Sequence, residues 1–370
     1  MSKKPDMQRR AKIAYVLNGR FPTKRAYGIQ TAKMCEALIE AGADLTLVVP
    51  ATEASRTHRS VRDFYGLRVE VPMRRLAGLD WYAGGRLGYL LSSLVFMASS
   101  LLYLLAVRGR GTRIYTVDMD SFSHALLPVA GKVIAEMHSP KDYTLWSRFF
   151  FRRARGIVAA NPLIAAELKK TFGIAALVEP NGVDLGAPMA KDDARRRLGV
   201  PQQEAMALYV GRFLPWKGLD IMPGVAALVP HMTFRMLGGT KEEFEQAAGS
   251  AEGLQFAEAA PADVAVWLAA ADVLLVIGTA RNEYSYRYTT PMKVFEYLAA
   301  GRPVVASDTP ALRSFVPEDI AVYCTPDDAP ALARAITNAV SNPPDLARGA
   351  ALAHEHTWRK RAERILAAYE

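Results

Sequence analysis

Two cations stand close together in a short loop bounded by glycines, Arg212 and Lys217 in the run GRFLPWKG from Gly211 to Gly218. A guanidinium fork matches paired oxygens and an ammonium adds a point charge, while flanking glycines let the backbone approach closely; together these suit a diphosphate. A second stretch, Glu283 to Ser307, places Thr289 and Thr290 ahead of an apolar segment closed by Gly301. Thr290 is expected to cap a helix of about three turns, with Pro291 in the first turn and Gly301 in the left-handed turn that ends it. The N–H groups at such a helix start attract phosphate, and Glu296, one turn in, can reach another part of the same ligand. A third candidate is His138, which closes the apolar run KVIAEMH. Polar residues at the carboxyl end of a buried strand are where an α/β protein gathers a site.

The elements that must position these groups follow from periodicity. Lys12 to Leu17 reads as a first strand, Ile29 to Ala41 as a helix and Leu45 to Val49 as a second strand, an order that implies a parallel sheet. Lys132 to His138 and Gly156 to Ala160 add strands to this half. The second half repeats the grammar, with strands expected at Met206 to Val210, Met232 to Leu237, Leu254 to Ala257 and Pro303 to Ala306. A chain of 370 residues, 51% hydrophobic, can bury two such cores. There is no G-x-G-x-x-G to support a dinucleotide cofactor. Cys35 and Cys324 lack metal-ligand spacing and read as reduced, buried residues, so no metal site is expected.

Charge is unevenly spread: residues 1–180 hold 27 Lys+Arg against 14 Asp+Glu, a net +13, whereas the remainder is net −4. That asymmetry points to an anionic partner of the first half. No basic helix with base-reading spacing is present, which argues against nucleic acid and leaves an anionic membrane surface or a solvated basic face. Leu87 to Val107 is a 21-residue run without a charge, flanked by Arg74, Arg75, Arg86, Arg108, Arg110 and Arg113. Strand-like segments of one α/β domain on both sides oppose a transmembrane reading. A helix packed on the sheet, with its outer face against membrane or a partner, is expected in preference to a two-sided core helix. The N-terminal segment carries charge but no signal-like apolar run, so a cytoplasmic location, peripheral on the inner face of the cell membrane, is the expectation.

The segment PMKVFEYLAAGRPVVASDTPALR, with GRFLPWKG before it, resembles the donor-site signature of the family 4 glycosyltransferases, retaining enzymes of the GT-B fold. The resemblance implies two Rossmann-like domains facing across a cleft. Its boundaries would be 1–182 for an acceptor-binding domain, 183–352 for a nucleotide-sugar-binding domain and 353–370 for a helix crossing back to the first. Glu179 to Asp184, EPNGVD, looks like the family's hinge, and Trp358 would anchor the last helix. In the family a glycine between the first strand and helix lets backbone approach the donor diphosphate, and Gly28 is the best match, a plain turn glycine being the alternative. His138 would lie beside the transferred sugar. Gly239 and the segment Phe256 to Glu258 would hold the base, largely through backbone groups, and Glu296 would bind the ribose.

One departure stands out. The family pattern has an acid eight positions before the second Glu, and here that position is Tyr288. The sugar's identity is therefore left open, with Glu283 or Tyr284 able to fill the vacated space. Lys293 can serve either as a phosphate ligand or as a salt-bridge partner. The resemblance implies transfer of a sugar from a nucleotide-diphosphate donor, UDP-sugar favoured and GDP-sugar possible, to a hydroxyl of a lipid-linked or glycan acceptor, without cofactor or metal. A sugar-nucleotide epimerase on the same scaffold and a non-catalytic sugar-nucleotide-binding protein are the alternatives.

Overall fold

The computed structural model describes residues 11–58, 60–108, 111–118, 124–260, 263–290 and 292–369. The chain divides into two units, one comprising Met1–Glu179 with Trp358–Glu370 and the other Pro180–Thr357. Both are α/β with a wholly parallel sheet, which demands a crossover between successive paired strands.

In the first unit the strands are β1 (Lys12–Val16), β2 (Asp44–Pro50), β3 (Met73–Leu76), β4 (Arg113–Val117), β5 (Val133–Met137), β6 (Gly156–Ala159) and β7 (Leu177–Val178). They lie in the order β3-β2-β1-β4-β5-β6-β7. The order reverses between β1 and β4, so the loops after these two strands diverge and leave a crevice at the carboxyl edge. All five residues of β5 are buried, including Glu136, the one charge in an otherwise apolar strand.

The second unit has β8 (Met206–Val210), β9 (Thr233–Leu237), β10 (Leu254–Ala257), β11 (Val273–Val276), β12 (Val304–Ser307) and β13 (Val322–Cys324), in the order β10-β9-β8-β11-β12-β13. Its strands alternate between two cores: Leu208 and Val210 pack with Val294 and Phe295 on one face, Ala207 and Tyr209 with Met222 and Val225 on the other. That is the two-residue period of a strand buried on both sides. Here the order reverses between β8 and β11, which aims the loop carrying Arg212 and Lys217 at the segment after β11.

Two boundaries differ from the sequence expectation. The first unit ends at Glu179 rather than near residue 182, and its last helix begins at Trp358 rather than 353. The helix Leu346–Glu355 packs on the helix Lys293–Ala299 of the second unit, so the chain leaves that unit only after Thr357. Trp358 is 5% exposed and seats the last helix in the first unit.

The uncharged run lies in a helix, Gly85–Val107, that docks through a largely small-residue face. Its buried positions include Gly88, Ser92, Ser93 and Ser100, whereas Leu87 and Leu102 are 67% and 70% exposed. The inward hydroxyls are used: Ser93 Oγ accepts from Asn18 Nδ2 at 2.9 Å and Ser92 Oγ from the Trp81 N–H at 3.2 Å. Small polar residues, with Phe96 and Leu104, thus dock the helix, and Leu87, Leu90, Leu94, Leu102 and Leu105 are exposed. Arg75, half-buried, donates to the Ser55 carbonyl, and Arg110 lies outside the described residues.

The end of the chain closes over β6. Tyr369 donates to the Ile157 carbonyl at 2.7 Å, and a Cβ placed on Gly156 would stand 2.3 Å from the Tyr369 ring. Gly156→Ala should therefore destabilise the first unit by about 1–3 kcal/mol through overpacking. Combined with Tyr369→Ala, the same substitution should cost nothing further. Chemical denaturation of the single and double variants checks this, and additive losses would show that the ring is not the obstacle.

Candidate active site

The second unit builds its site where its strand order reverses. β8 ends at Val210, and a short 3-10 turn, Pro215–Lys217, folds the following loop back. Gly218 has φ +74°, and a Cβ there would stand 2.8 Å from Thr279 Cβ, so only glycine lets this loop meet the segment after β11. Trp216 and Tyr284 pack edge to face at 5.5 Å and tie the same two segments together.

Among the described residues neither Arg212 nor Lys217 has a carboxylate partner. Other arginines nearby are occupied: Arg281 is paired with Asp220 and Asp327, and Arg313 with Asp308. Lys217 Nζ instead lies 3.1 Å from Tyr209 Oη and beside the Tyr209 and Trp216 rings. Burial, with the Arg212 charge in addition, pushes the Lys217 ammonium down to about 8. Two neighbouring cations without a carboxylate partner favour an anion beside them, because its charge would offset both the burial and the mutual repulsion.

The helix after the hydroxyl-rich loop is shorter than expected. It runs Lys293–Ala299, no side chain caps it, and Thr290 lies before it; Pro291 is outside the described residues. In place of a long first turn the chain makes a π-helical turn at Tyr284–Tyr288, a form that recurs at functional sites. Thr289 Oγ1 donates to the Tyr284 carbonyl at 3.0 Å, and the Thr290 carbonyl accepts from Asn181 Nδ2 at 3.4 Å. Tyr288 is buried with its hydroxyl 3.5 Å from a carboxylate oxygen of Glu283. Lys293 pairs with Glu296 at 2.8 Å.

Tyr297, which the sequence reading passed over, ties this helix to the cation loop. Its hydroxyl accepts the Val210 N–H at 2.9 Å and donates to the Val210 carbonyl at 3.3 Å, one residue before Gly211. Two further residues assigned to the donor are used by the fold. A Cβ on Gly239 would meet Glu243 Oε2 at 2.5 Å and the Phe213 ring at 2.9 Å. Phe256 packs its ring against Phe213 and Phe244, leaving backbone rather than side chain for any base, and Glu258 is exposed. β10 is the outermost strand, where backbone groups are accessible.

In the first unit Gly28 lies inside the helix Ala26–Glu40, and a Cβ on it would collide with the Thr23 carbonyl at 2.5 Å and Tyr65 Oη at 2.6 Å. Its glycine is required by the fold itself. Gly19, in the loop straight after β1, has only the Tyr27 ring at van der Waals distance, 3.8 Å from a Cβ. The Asn18-Gly19 pair after an apolar strand was its signal.

His138 stands at the carboxyl end of β5, its N–H donated to Asp118 Oδ1 at 3.0 Å and its Nε2 2.6 Å from Glu136 Oε1. Asp118 adopts φ +44°, unusual for a residue with a side chain, and also takes Lys141 Nζ at 3.2 Å. Burial alone would lower the His138 pKa; the Glu136 hydrogen bond and charge, with Asp118, outweigh it and raise it.

The fold is that of solved GT-B structures. Residues 204–342 match the family described as glycosyl transferases group 1. The chain is 29% identical over 198 residues to TuaC of Bacillus subtilis (strain 168), a glycosyltransferase named for teichuronic acid biosynthesis, covering 50% of this chain and 48% of that protein. It is 27% identical over 266 residues to the phosphatidyl-myo-inositol mannosyltransferase of Mycobacterium leprae (strain TN), covering 66% and 69%. The chain thus spans about half to two thirds of these relatives. The solved structure of Anabaena Alr3699/HepE in complex with UDP and glucose superposes with a TM-score of 0.71 at 17% identity, covering 97% of this chain and 98% of that one.

The depressed Lys217 makes anion binding depend on pH. Its folded value, about 8, lies below the ordinary 10.5, so the folded chain sheds this proton first and gains stability as pH climbs through that window. A diphosphate needs the charged form. UDP affinity should therefore fall as pH rises through about 8, with proton uptake on binding, and Lys217→Arg should abolish both. Calorimetry in buffers of different ionisation enthalpy reads this; flat wild-type affinity between about pH 7 and pH 9 would remove Lys217 from the anion site.

Proposed function

We propose that this protein transfers a sugar, with retention at the anomeric carbon, from a nucleotide-diphosphate sugar to a hydroxyl of a lipid-linked or glycan acceptor in cell-envelope glycoconjugate synthesis. The observation that carries the reading is the uncompensated pair Arg212 and Lys217 at the reversal of the second sheet. As the glycosidic bond breaks, negative charge grows on the diphosphate, and two prepositioned cations stabilise it more than the ground state. The leaving phosphate takes the acceptor's proton on the same face. UDP-sugar is the favoured donor, in keeping with the UDP of the HepE complex, and GDP-sugar the second choice. His138 serves the sugar end and Glu296 the ribose.

Arg212→Ala or Lys217→Ala should lower turnover by about 10²-fold, since one lost donor to developing charge costs roughly 3 kcal/mol. His138→Ala should cut transfer while sparing nucleotide binding, and Glu296→Ala should weaken binding itself. A panel of UDP- and GDP-sugars, scored by thermal shift, slow donor hydrolysis and transfer, measures all four. Activity within about threefold of wild type for both cation variants would refute this donor placement. Interconversion of sugar nucleotides without acceptor would identify an epimerase, and binding without turnover a carrier.

The same reading puts the protein on the cytoplasmic face of a membrane. Support comes from the outward leucines of Gly85–Val107 and the net +13 of residues 1–180. The short helix Leu127–Ala130 packs against both Gly85–Val107 and the helix Leu145–Arg153, whose Leu145 is 81% exposed beside Trp146 and several arginines. Each basic residue near an anionic surface contributes about 1 kcal/mol, a part that salt weakens and apolar insertion does not share. The protein should float with anionic vesicles and less with neutral ones. Arg74→Glu, Arg86→Glu and Arg108→Glu should reduce the salt-sensitive part, and Leu87→Glu with Leu102→Glu the remainder. Protein that stays at the bottom of the gradient at low salt would sink the membrane reading.

A further inference from the structure

His138 is held from behind by a buried network that the transfer mechanism does not use. Glu136, two residues before it and fully buried, receives Arg361 Nη2 at 2.7 Å and Nη1 at 3.2 Å. It also receives Gln30 Nε2 at 2.8 Å and the Tyr115 hydroxyl. Arg361 is itself 0% exposed and gives a further bond to the Glu179 carbonyl at 3.2 Å. Glu136 is therefore a carboxylate whose lone pairs are saturated by donors from the helix Ala26–Glu40, β4 and the last helix.

A carboxylate can only accept, so the 2.6 Å contact to His138 requires the proton on Nε2. The neutral imidazole then presents an unprotonated Nδ1 away from Glu136. The backbone is fixed independently, through the His138 N–H on Asp118. Both the ring and its main chain are thus held by acids, one buried and one at the surface.

We propose that Glu136, clamped by Arg361 of the last helix, is the positioning residue that sets the orientation and tautomer of His138. This rests on the reading that His138 serves the sugar end of the reaction. The helix Trp358–Tyr369 would then be more than a strap returning to the first unit: it supplies the charge without which Glu136 could not stay ionised in the core. Burial by itself would raise the Glu136 pKa, and the Arg361 charge with the His138 bond reverses this and holds the carboxyl far below its usual range. Among the described residues the charged and titratable groups facing His138 are Glu136 from β5, Asp118 after β4, Arg361 from the last helix, and Tyr115 and Lys141 through these two acids. A histidine raised in this way is stabilising below its ordinary value of 6.5, and that contribution fades as pH climbs through the raised folded value.

The test compares Glu136→Gln, Arg361→Lys and the double variant Glu136→Gln with Arg361→Met, each in the full chain. Imidazole NMR, with His138→Ala to assign the signal, reads tautomer and titration without donor or acceptor. Turnover and donor KM are measured in parallel. Glu136→Gln should lower the His138 titration midpoint by about one unit and kcat by about tenfold or more, with donor KM unchanged. Arg361→Lys should retain most of both. The double variant decides between positioning and mere stability, because removing both charges of a buried pair spares the fold. It should melt close to wild type yet keep the lowered midpoint and the low kcat. Recovery of kcat with stability, or an unshifted His138 midpoint in folded Glu136→Gln, would overturn the proposal. Wild-type turnover in His138→Ala would instead refute the assigned role of His138 and leave the NMR result to judge the clamp.

Discussion

The first unit depends on one buried ion pair between residues 225 apart in sequence, Glu136 in the centre of the sheet and Arg361 in the last helix. An ionised carboxylate inside a core is tolerated only when its oxygens are fully bonded, and deleting one partner of such a pair costs about 3–5 kcal/mol. Here the partners come from three other elements, so the pair joins the sheet, the first helix and the end of the chain in one network. The helix that returns to the first unit thereby supplies the Arg361 charge that meets this buried carboxylate.

The second unit is built on the opposite condition. Among the described residues Arg212 and Lys217 have no carboxylate partner, and the Lys217 ammonium is depressed because burial and a like charge act together. Ionisable groups perturbed in this way cluster at functional sites. The surrounding scaffold is correspondingly firm. Tyr297 holds the end of β8 through both backbone groups of Val210, and Gly218 brings two loops into contact that any larger residue would separate.

The helix Gly85–Val107 shows how composition can be read from the sequence while the identity of the docked face is not. Its length and lack of charge were plain, and so was its placement between two strands of one sheet. That Ser92 and Ser93 would face inward beside Phe96 and Leu104, with Leu87 and Leu102 outside, depends on Asn18 and the Trp81 N–H bonding those hydroxyls. A similar limit applies to Gly28. The sequence offered a glycine near the right loop, whereas the packing of Thr23 and Tyr65 shows that the helix itself requires it there, and Gly19 is the loop glycine with room beside it.

By itself the amino-acid sequence determined the alternation of strands and helices, the two-unit plan, the cation loop and the strand that ends in His138. Each of these is written in local spacing: a period of two or 3.6, a glycine where φ is positive, an apolar run of a strand's length. Tertiary structure alone decided that Lys293 pairs with Glu296, that Glu283 lies 3.5 Å from the Tyr288 hydroxyl, that the site helix starts at Lys293 and that the last helix begins at Trp358. It also decided that Glu136 and Arg361 meet. The reason is physical: these outcomes depend on which side chains distant segments bring within hydrogen-bond distance, and that is set by how helices settle on a sheet rather than by any pattern along the chain.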